Sequence, residues 1–384
     1  MQAAIDTALK HNLQAQGAQL TVRAEKLRQQ TGWDIPKTEL SGEYGQINSA
    51  TKDMRLGITQ SFSFPSVYSN QKRSLQENYR VAELQSKVTE LDVKTNVRSL
   101  FYQLVYLQEK RKLLLYADSI YQLFENKTNL RFKVGETDIL EKTTASSHRQ
   151  QIGNQLRMLE GDMNISMTRF NLWLGKEQAF LPVVREQDIR LMMPAAIAAA
   201  ESILQVQVLE HDAEAARWRW RTERSKLLPD FFIGYNNQSI AGSQVINGQE
   251  SYVPTSKRFS YVNAGISVPL FFGAQSARTS AAKVDWQLAQ KRRDHALQQT
   301  KAEQAALLLE VQKFAGSLDF YEQTGLKNAD IIIATADQQF VGGEINYLQW
   351  VILVDQAINI KNEYLDMLNS YNQSVIQAQK VNNL

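Results

Sequence analysis

The stretch FKVGETDIL, residues 132–140, returns as FVGGEINYL at 340–348. Both copies fit F-x-x-G-E-x-x-x-L, pairing Phe132 with Phe340, Gly135 with Gly343, Glu136 with Glu344 and Leu140 with Leu348 at a constant offset of 208. Each copy interrupts a long run of helical periodicity. A chain that makes the same small turn twice is folding one supersecondary unit twice, and every other element has to be compatible with that repeat.

The sequence before the first turn sets the type of unit. Residues 3–31 have helical periodicity, closed by Gly32 and Pro36. The period then changes to two. In 37–46, Thr38, Leu40 and Tyr44 share a face; in 54–64, Leu56, Ile58, Phe62 and Phe64 alternate with Arg55, Thr59, Ser61 and Ser63. Two strands of about ten residues are expected, long enough to cross a bilayer when tilted. From Ser66 to Lys133 there is no proline, and Leu100, Leu107, Leu114 and Tyr121 recur every seven residues, with Leu104, Ala117 and Phe124 interleaved. That is heptad packing. A helix of about 65 residues would be on the order of 100 Å long. The chain then turns and a second helix runs back to FNLWLG, 170–175.

The same order follows in the second half. A helix over 195–227 precedes strands at 230–240 and 258–272, the latter with Val262, Ala264, Ile266, Val268 and Leu270 alternating. A second long helix carries Leu307, Val311, Phe314, Leu318 and Tyr321 to Phe340, turns, and returns through Tyr371. The domain organisation expected is therefore a first repeat at 1–175, a linker at 176–194 and a second repeat at 195–384. The loop between paired strands is short in the first repeat (47–53) and long in the second (241–257).

Composition narrows the function classes. A formal charge of +3, with both signs interspersed, does not argue for nucleic acid. The absence of cysteine excludes disulfides, thiolate metal sites and a thiol nucleophile. The first twenty residues carry Asp6, Lys10 and several glutamines and lack a signal peptide's apolar core. The most apolar helical stretch, 194–209, is broken by Glu201 and two glutamines, so a membrane role has to use strands. No P-loop, dinucleotide fingerprint, zincin motif or nucleophile arrangement is present, which argues against an enzyme and against a cofactor.

Four strands cannot close a barrel, and alternating strands of this length leave apolar surface and open edges. The cheapest closed solution is a ring of copies, each giving four strands to one membrane barrel and its helices to a coaxial bundle. Such an assembly is a conduit.

The order of features resembles the TolC-like outer-membrane efflux channels, the outer membrane factors. The matching stretches are the opening AIDTALKHN, the helix-to-strand prolines in DIP and LLP, the strand pair ending SFSFP, the duplication, LWLG and the two helix-turn-helix tips. GETDILEK and GEINYLQW most resemble the heavy-metal CusC/CzcC branch, including versions fused to a CusA/CzcA-type pump; such a fusion would account for the missing signal. The resemblance implies a mainly α chain with membrane β, four strands per copy entering a trimeric twelve-stranded barrel continued by a long α-helical barrel in the periplasm. It also implies a passive exit duct in an RND-type efflux system, set in outer-membrane lipid. Its partners would be a homotrimer, a periplasmic membrane fusion (adaptor) protein and an inner-membrane RND pump. By the same resemblance Val134, Gly135, Glu136, Gly342, Gly343 and Glu344 form the adaptor-binding tip, and Glu141 and Gln349 lie at the entrance.

For several of these residues two readings stay open. Gly135 and Gly343 suit a turn with positive φ and close approach by a partner. Glu136 and Glu344 begin the returning helices, where a carboxylate suits the positive helix end, or they contact the partner. Glu141 makes an acidic ring across a trimer or lies on a solvated face, and Gln349 breaks that acidity in the second repeat. His11, His148, His211 and His295 lack metal-ligand spacing, and Met158, Met163 and Met167 read as packing before copper ligation. RWRWRTERSK, 217–226, reads as an interfacial anchor carrying Trp218 and Trp220, with Trp33 playing that part before the first strand; nucleic-acid stacking is the weaker alternative. The expected cargo is heavy-metal cations; a multidrug or type I secretion duct, or a soluble coiled-coil scaffold, are the competing readings.

Overall fold

The computed structural model describes residues 1–176, 180, 182–183, 189–193 and 198–383. Most of the 176–194 linker and the start of the helix expected from 195 lie outside the described residues.

The expected N-terminal helix is two helices, α1 (Gln2–His11) and α2 (Leu13–Arg28), followed by a 3-10 turn, Gln29–Trp33. Asn12 sits between them in extended conformation. Its Oδ1 accepts from the backbone N–H of Gln14 (2.9 Å) and Ala15 (3.2 Å), and its Nδ2 donates to the Trp173 carbonyl. Asparagine here caps α2, and the break allows α1 to dock on a later helix.

The strands are β1 (Glu39–Gly45), β2 (Asp53–Phe62), β3 (Asp230–Ser239) and β6 (Arg258–Ser267), joined in the order β1-β2-β3-β6 with every pair antiparallel. The long loop is not irregular: β4 (Gly242–Ile246) and β5 (Gln249–Val253) form a hairpin around Asn247-Gly248, both at positive φ. Asn-Gly is the strongest short hairpin signal and was available in the sequence.

The long helices follow. α3 (Pro65–Lys133) is a single helix of 69 residues, and α4 (Ile139–Leu174) returns from the first turn. α5 (Leu204–Ser225) precedes β3. The second long helix is interrupted: α6 (Gly273–Phe320) passes through a π segment, Tyr321–Gly325, into α7 (Leu326–Val341), and α8 (Tyr347–Val381) returns. A Cβ on Gly325 would fall 2.9 Å from the Tyr321 ring, so the wide turn and the missing side chain accommodate each other.

Two compact units emerge, and they do not follow the repeats. One comprises 1–19, 86–204 and 297–384; the other comprises 20–85 and 205–296, and each draws on both halves of the sequence.

In the first unit the heptad positions are the core. Leu104, Leu107, Leu114, Ala117, Tyr121 and Phe124 are all buried, as are Val311 and Leu318 on α6. In the second unit the sheet is inside out by the standard of a water-soluble protein. Leu40, Ile58, Tyr235 and Val262 stand in one cross-strand row, and all four are exposed, Leu40 to 78% and Val262 to 66%. The opposite face is polar and less exposed: Asn236 donates to Asn263 at 2.9 Å, and Arg55 pairs with Glu43 at 3.0 Å. Neighbouring side chains fold over its glycines; a Cβ on Gly57 would lie 2.7 Å from Ser41 Oγ. Apolar residues outward and polar residues inward is the pattern of a strand in a lipid-facing barrel wall.

Candidate functional site

The two tips are built alike. At the first, the N–H of Gly135 donates to the Phe132 carbonyl (3.1 Å) and that of Glu136 to Arg131 (2.9 Å); at the second, Gly343 donates to Phe340 (3.2 Å) and Glu344 to Gln339 (2.8 Å). This paired 5→2 and 6→1 bonding is a Schellman closure, which needs a left-handed residue after the helix. Gly135 at φ +78° and Gly343 at +76° supply it, with open space where a Cβ would stand. Gly342 is right-handed, at φ −72°, so its backbone places no such demand.

The glutamates do not begin the returning helices. α4 starts after Asp138 and α8 after Asn346, and these residues are the N-caps: Asp138 Oδ1 accepts from the Glu141 N–H (2.8 Å) and Asn346 Oδ1 from that of Gln349 (3.0 Å). A short side chain two bonds from its own backbone folds onto the N3 donor more readily than a glutamate upstream, which is why the cap falls there. Glu136 instead presents its carboxylate 3.9 Å from Arg131 Nε.

Glu141 and Gln349 hold matching places with different partners. Glu141 accepts from Arg131 Nη1 at 3.3 Å and from the Thr137 hydroxyl. Gln349 completes a capping box, its Oε1 accepting from the Asn346 N–H at 3.0 Å. Both side chains line a cleft of about 830 Å³ between the turns, together with Lys127, Arg131, Val341 and Glu344.

Under the cleft lies an aromatic cluster that periodicity did not reveal. The ring of Phe124 is 4.1 Å from Tyr347 and 4.6 Å from Trp350, both near-parallel, and 5.2 Å from Phe340. Trp350 Nε1 donates to Asp337 at 2.7 Å. Burial, followed by the nearby carboxylates of Glu141 and Asp355, pushes the Tyr347 hydroxyl well above the usual phenol range. Next to it Tyr121 donates to Asp355 and stacks on His148, whose Nδ1 is 3.7 Å from the same carboxylate. The contacts tie α3, α4, α7 and α8 together directly behind the tips. The signal for this cluster was in GEINYLQW, but only the fold shows that its aromatics point at Phe124.

The three tryptophans read as interfacial anchors lie in the unit that holds the sheet. Trp33 is exposed and stacks on Tyr68 (5.4 Å), whose hydroxyl accepts from the Ser63 N–H at the end of β2. Trp218 and Trp220 are half-buried on α5: Trp220 stacks on Trp286 at 5.3 Å, and Trp218 lies among Arg73, Arg217 and Arg221. Among the described residues, no group of three or more His, Cys, Asp or Glu side chains could hold a metal ion, and no helix is long and apolar enough to cross a membrane.

A sheet with its apolar face outward has the residue pattern of a lipid-facing barrel wall, and in the other unit two hairpins of very long helices carry the tips. Residues 198–381 match the sequence profile of the outer membrane efflux proteins. The fold is similar to that of CusC, at TM-score 0.82 and 15% identity over 99% of this chain and 91% of that one. It is also similar to the CmeC outer membrane channel of Campylobacter jejuni (0.81, 14%, covering 100% and 85%) and to the outer membrane protein VceC of Vibrio cholerae (0.78, 14%, covering 98% and 95%). No curated protein matches the sequence. Residues 198–381 thus carry the sequence signature of the outer membrane efflux proteins, and the whole chain has the fold of these outer-membrane channels.

Proposed function

We propose that the chain is the exit duct of a tripartite RND-type system: three copies close a twelve-stranded barrel and receive heavy-metal cations from an inner-membrane pump through a periplasmic adaptor. The observation that carries this reading is the four-stranded sheet with β1 and β6 as open edges and its apolar face bare. Left alone, such a sheet would aggregate; joined edge to edge with two copies it has no edge. Exposed apolar residues at heptad spacing add support: Leu13, Leu20 and Leu27 on α2, Tyr116, Leu123 and Leu130 on α3, and Met158, Ile165 and Leu172 on α4. Seams of that kind pack against helices of another copy. We read 1–175 and 195–384, joined by 176–194, as the tandem units of each copy.

The tips are the adaptor-facing surface in this proposal. Val134, Gly135 and Glu136, with Gly342, Gly343 and Glu344, surround backbone that a partner can approach closely, beside the exposed side chains of Ile139, Leu140, Val341 and Leu348. Glu141, already paired with Arg131, supports an entrance without a free acidic ring. The metal cargo rests on GETDILEK and GEINYLQW, and a duct for such cations needs no dedicated binding site. The test is a strain lacking this protein, challenged with copper, silver, zinc and cobalt salts and, separately, with dyes and detergents. Sensitivity confined to metals and reversed by the intact gene supports the proposal. Sensitivity confined to organic compounds replaces the cargo while keeping the duct. Monomers that stay in solution without detergent would sink the duct and favour the scaffold.

A further inference from the structure

The basic, tryptophan-rich end of α5 has more positive charge than its surroundings neutralise. Arg217 pairs with Glu214, Arg219 with Asp212 and Lys226 with Glu223, while Glu77 is taken by His211 and Arg80. Among the described residues, Arg73 on α3 and Arg221 on α5 have no carboxylate within ion-pair distance, yet the guanidinium carbon of each lies 4.6 Å from the centroid of the Trp218 ring. The two cations are therefore no farther apart than twice that distance. Nothing incidental brings them together, because α3 and α5 are locked at this level: Asn70 Nδ2 donates to Ser225 Oγ at 3.0 Å, Ser74 Oγ to the Ala215 carbonyl at 3.2 Å, and Glu77 meets His211 at 2.6 Å. Arg73 is exposed and Arg221 half-buried; two like charges held against one aromatic ring repel each other, and an anion that both can reach relieves that repulsion.

The position along the fold selects the anion. Arg221 lies one helical turn before the end of α5 at Ser225, and β3 begins at Asp230; Arg73 is two turns into α3, which starts just after β2. The strand ends here carry the last outward apolar residues, Phe231 and Ile266, followed by the exposed Val268, Leu270 and Phe271. A headgroup layer of about 5–8 Å borders the hydrocarbon on each side, and arginine extends its charged end toward it along an apolar stem. Guanidinium also forks onto phosphate oxygens in a way an ammonium does not.

We propose that Arg73, Trp218 and Arg221 form a site for the phosphate of an anionic phospholipid headgroup, a specific lipid contact where the strands meet the helices. The proposal rests on the outer-membrane placement of the sheet and is independent of the cargo. To test it, the full chain is prepared in a mild detergent with phosphatidylglycerol or phosphatidylcholine, and retained lipid is measured by native mass spectrometry, alongside oligomeric state. The intact protein is expected to retain phosphatidylglycerol preferentially. Arg73→Gln with Arg221→Gln should weaken that retention about thirtyfold at unchanged oligomeric state, and the double lysine variant should fall between. Equal retention by the glutamine variant overturns the site. So does displacement of the lipid by an equal concentration of inorganic phosphate, which would mark a simple anion site. Loss of the oligomer together with the lipid would assign the arginines to a carboxylate of a neighbouring copy instead. A metal-sensitivity result of either sign leaves these readings unchanged.

Discussion

At matching positions the two tip hairpins are held by different forces. Where α3 and α4 set Glu125 against Arg149 at 2.7 Å, the residues 208 positions on are Ile333 and Ala357, which share an apolar cluster between α7 and α8. Phe132 is covered by the Lys142 ammonium at 4.6 Å; its counterpart Phe340 is covered by Trp350, with ring centroids 5.8 Å apart. α3 runs unbroken, whereas the corresponding helix contains the π segment before α7. Two turns with the same hydrogen bonds thus sit on one hairpin joined by a part-buried ion pair and another joined by aromatic rings and small apolar side chains. The turn is a local solution and tolerates either support. The supports differ in what disturbs them: ion pairs respond to pH and salt, apolar contacts to volume.

The largest expected effect breaks the aromatic side. Trp350→Ala should cost about 3–5 kcal/mol, read as a lower thermal midpoint of the detergent-solubilised protein, while Lys142→Ala at the matching place should cost less than about 1 kcal/mol. Similar losses would mean the hairpins are not asymmetric. Next, Gly325→Ala forces a methyl against Tyr321 and should cost about 1–3 kcal/mol, whereas Gly316→Ala, with open space on an exposed helix face, should gain about 0.5–1 kcal/mol. If both substitutions were neutral, the π segment would not depend on its glycine.

Smaller effects sharpen the likeness. Gly135→Ala and Gly343→Ala should each cost about 1–2 kcal/mol, and by the same amount, because both pay only for positive φ. Unequal costs would show that one turn is strained beyond its backbone. The last prediction concerns acid. The hydrogen bond from Arg149 holds the Glu125 carboxyl below its ordinary 4.5, against a smaller opposing effect of burial. The pair's contribution is therefore complete above the unfolded value and disappears as pH falls through the lower folded value. Hydrogen exchange in α4 should accelerate across that acidic window and stay flat in a Glu125→Gln variant, while α8 near Ala357 should show no Glu125-dependent step.

Much of this was legible because it is local or periodic. The 208-residue register, the heptad positions and the two-residue alternation each depend on a repeat in one dimension, and backbone geometry turns such repeats into helices and strands. Positive φ at Gly135 and Gly343 follows in the same way from a glycine after a helix. The break at Asn12, the caps at Asp138 and Asn346 and the β4–β5 hairpin also had local signals that the longer pattern overshadowed. What the sequence could not determine was the choice of partner across the fold: that Glu141 meets Arg131, that Trp350 reaches Phe124, that Arg73 and Arg221 share Trp218, or that compact units cut across the repeats. Most of those contacts join residues far apart in the chain, and their energies depend on distances of a few ångströms that exist only once the helices have packed.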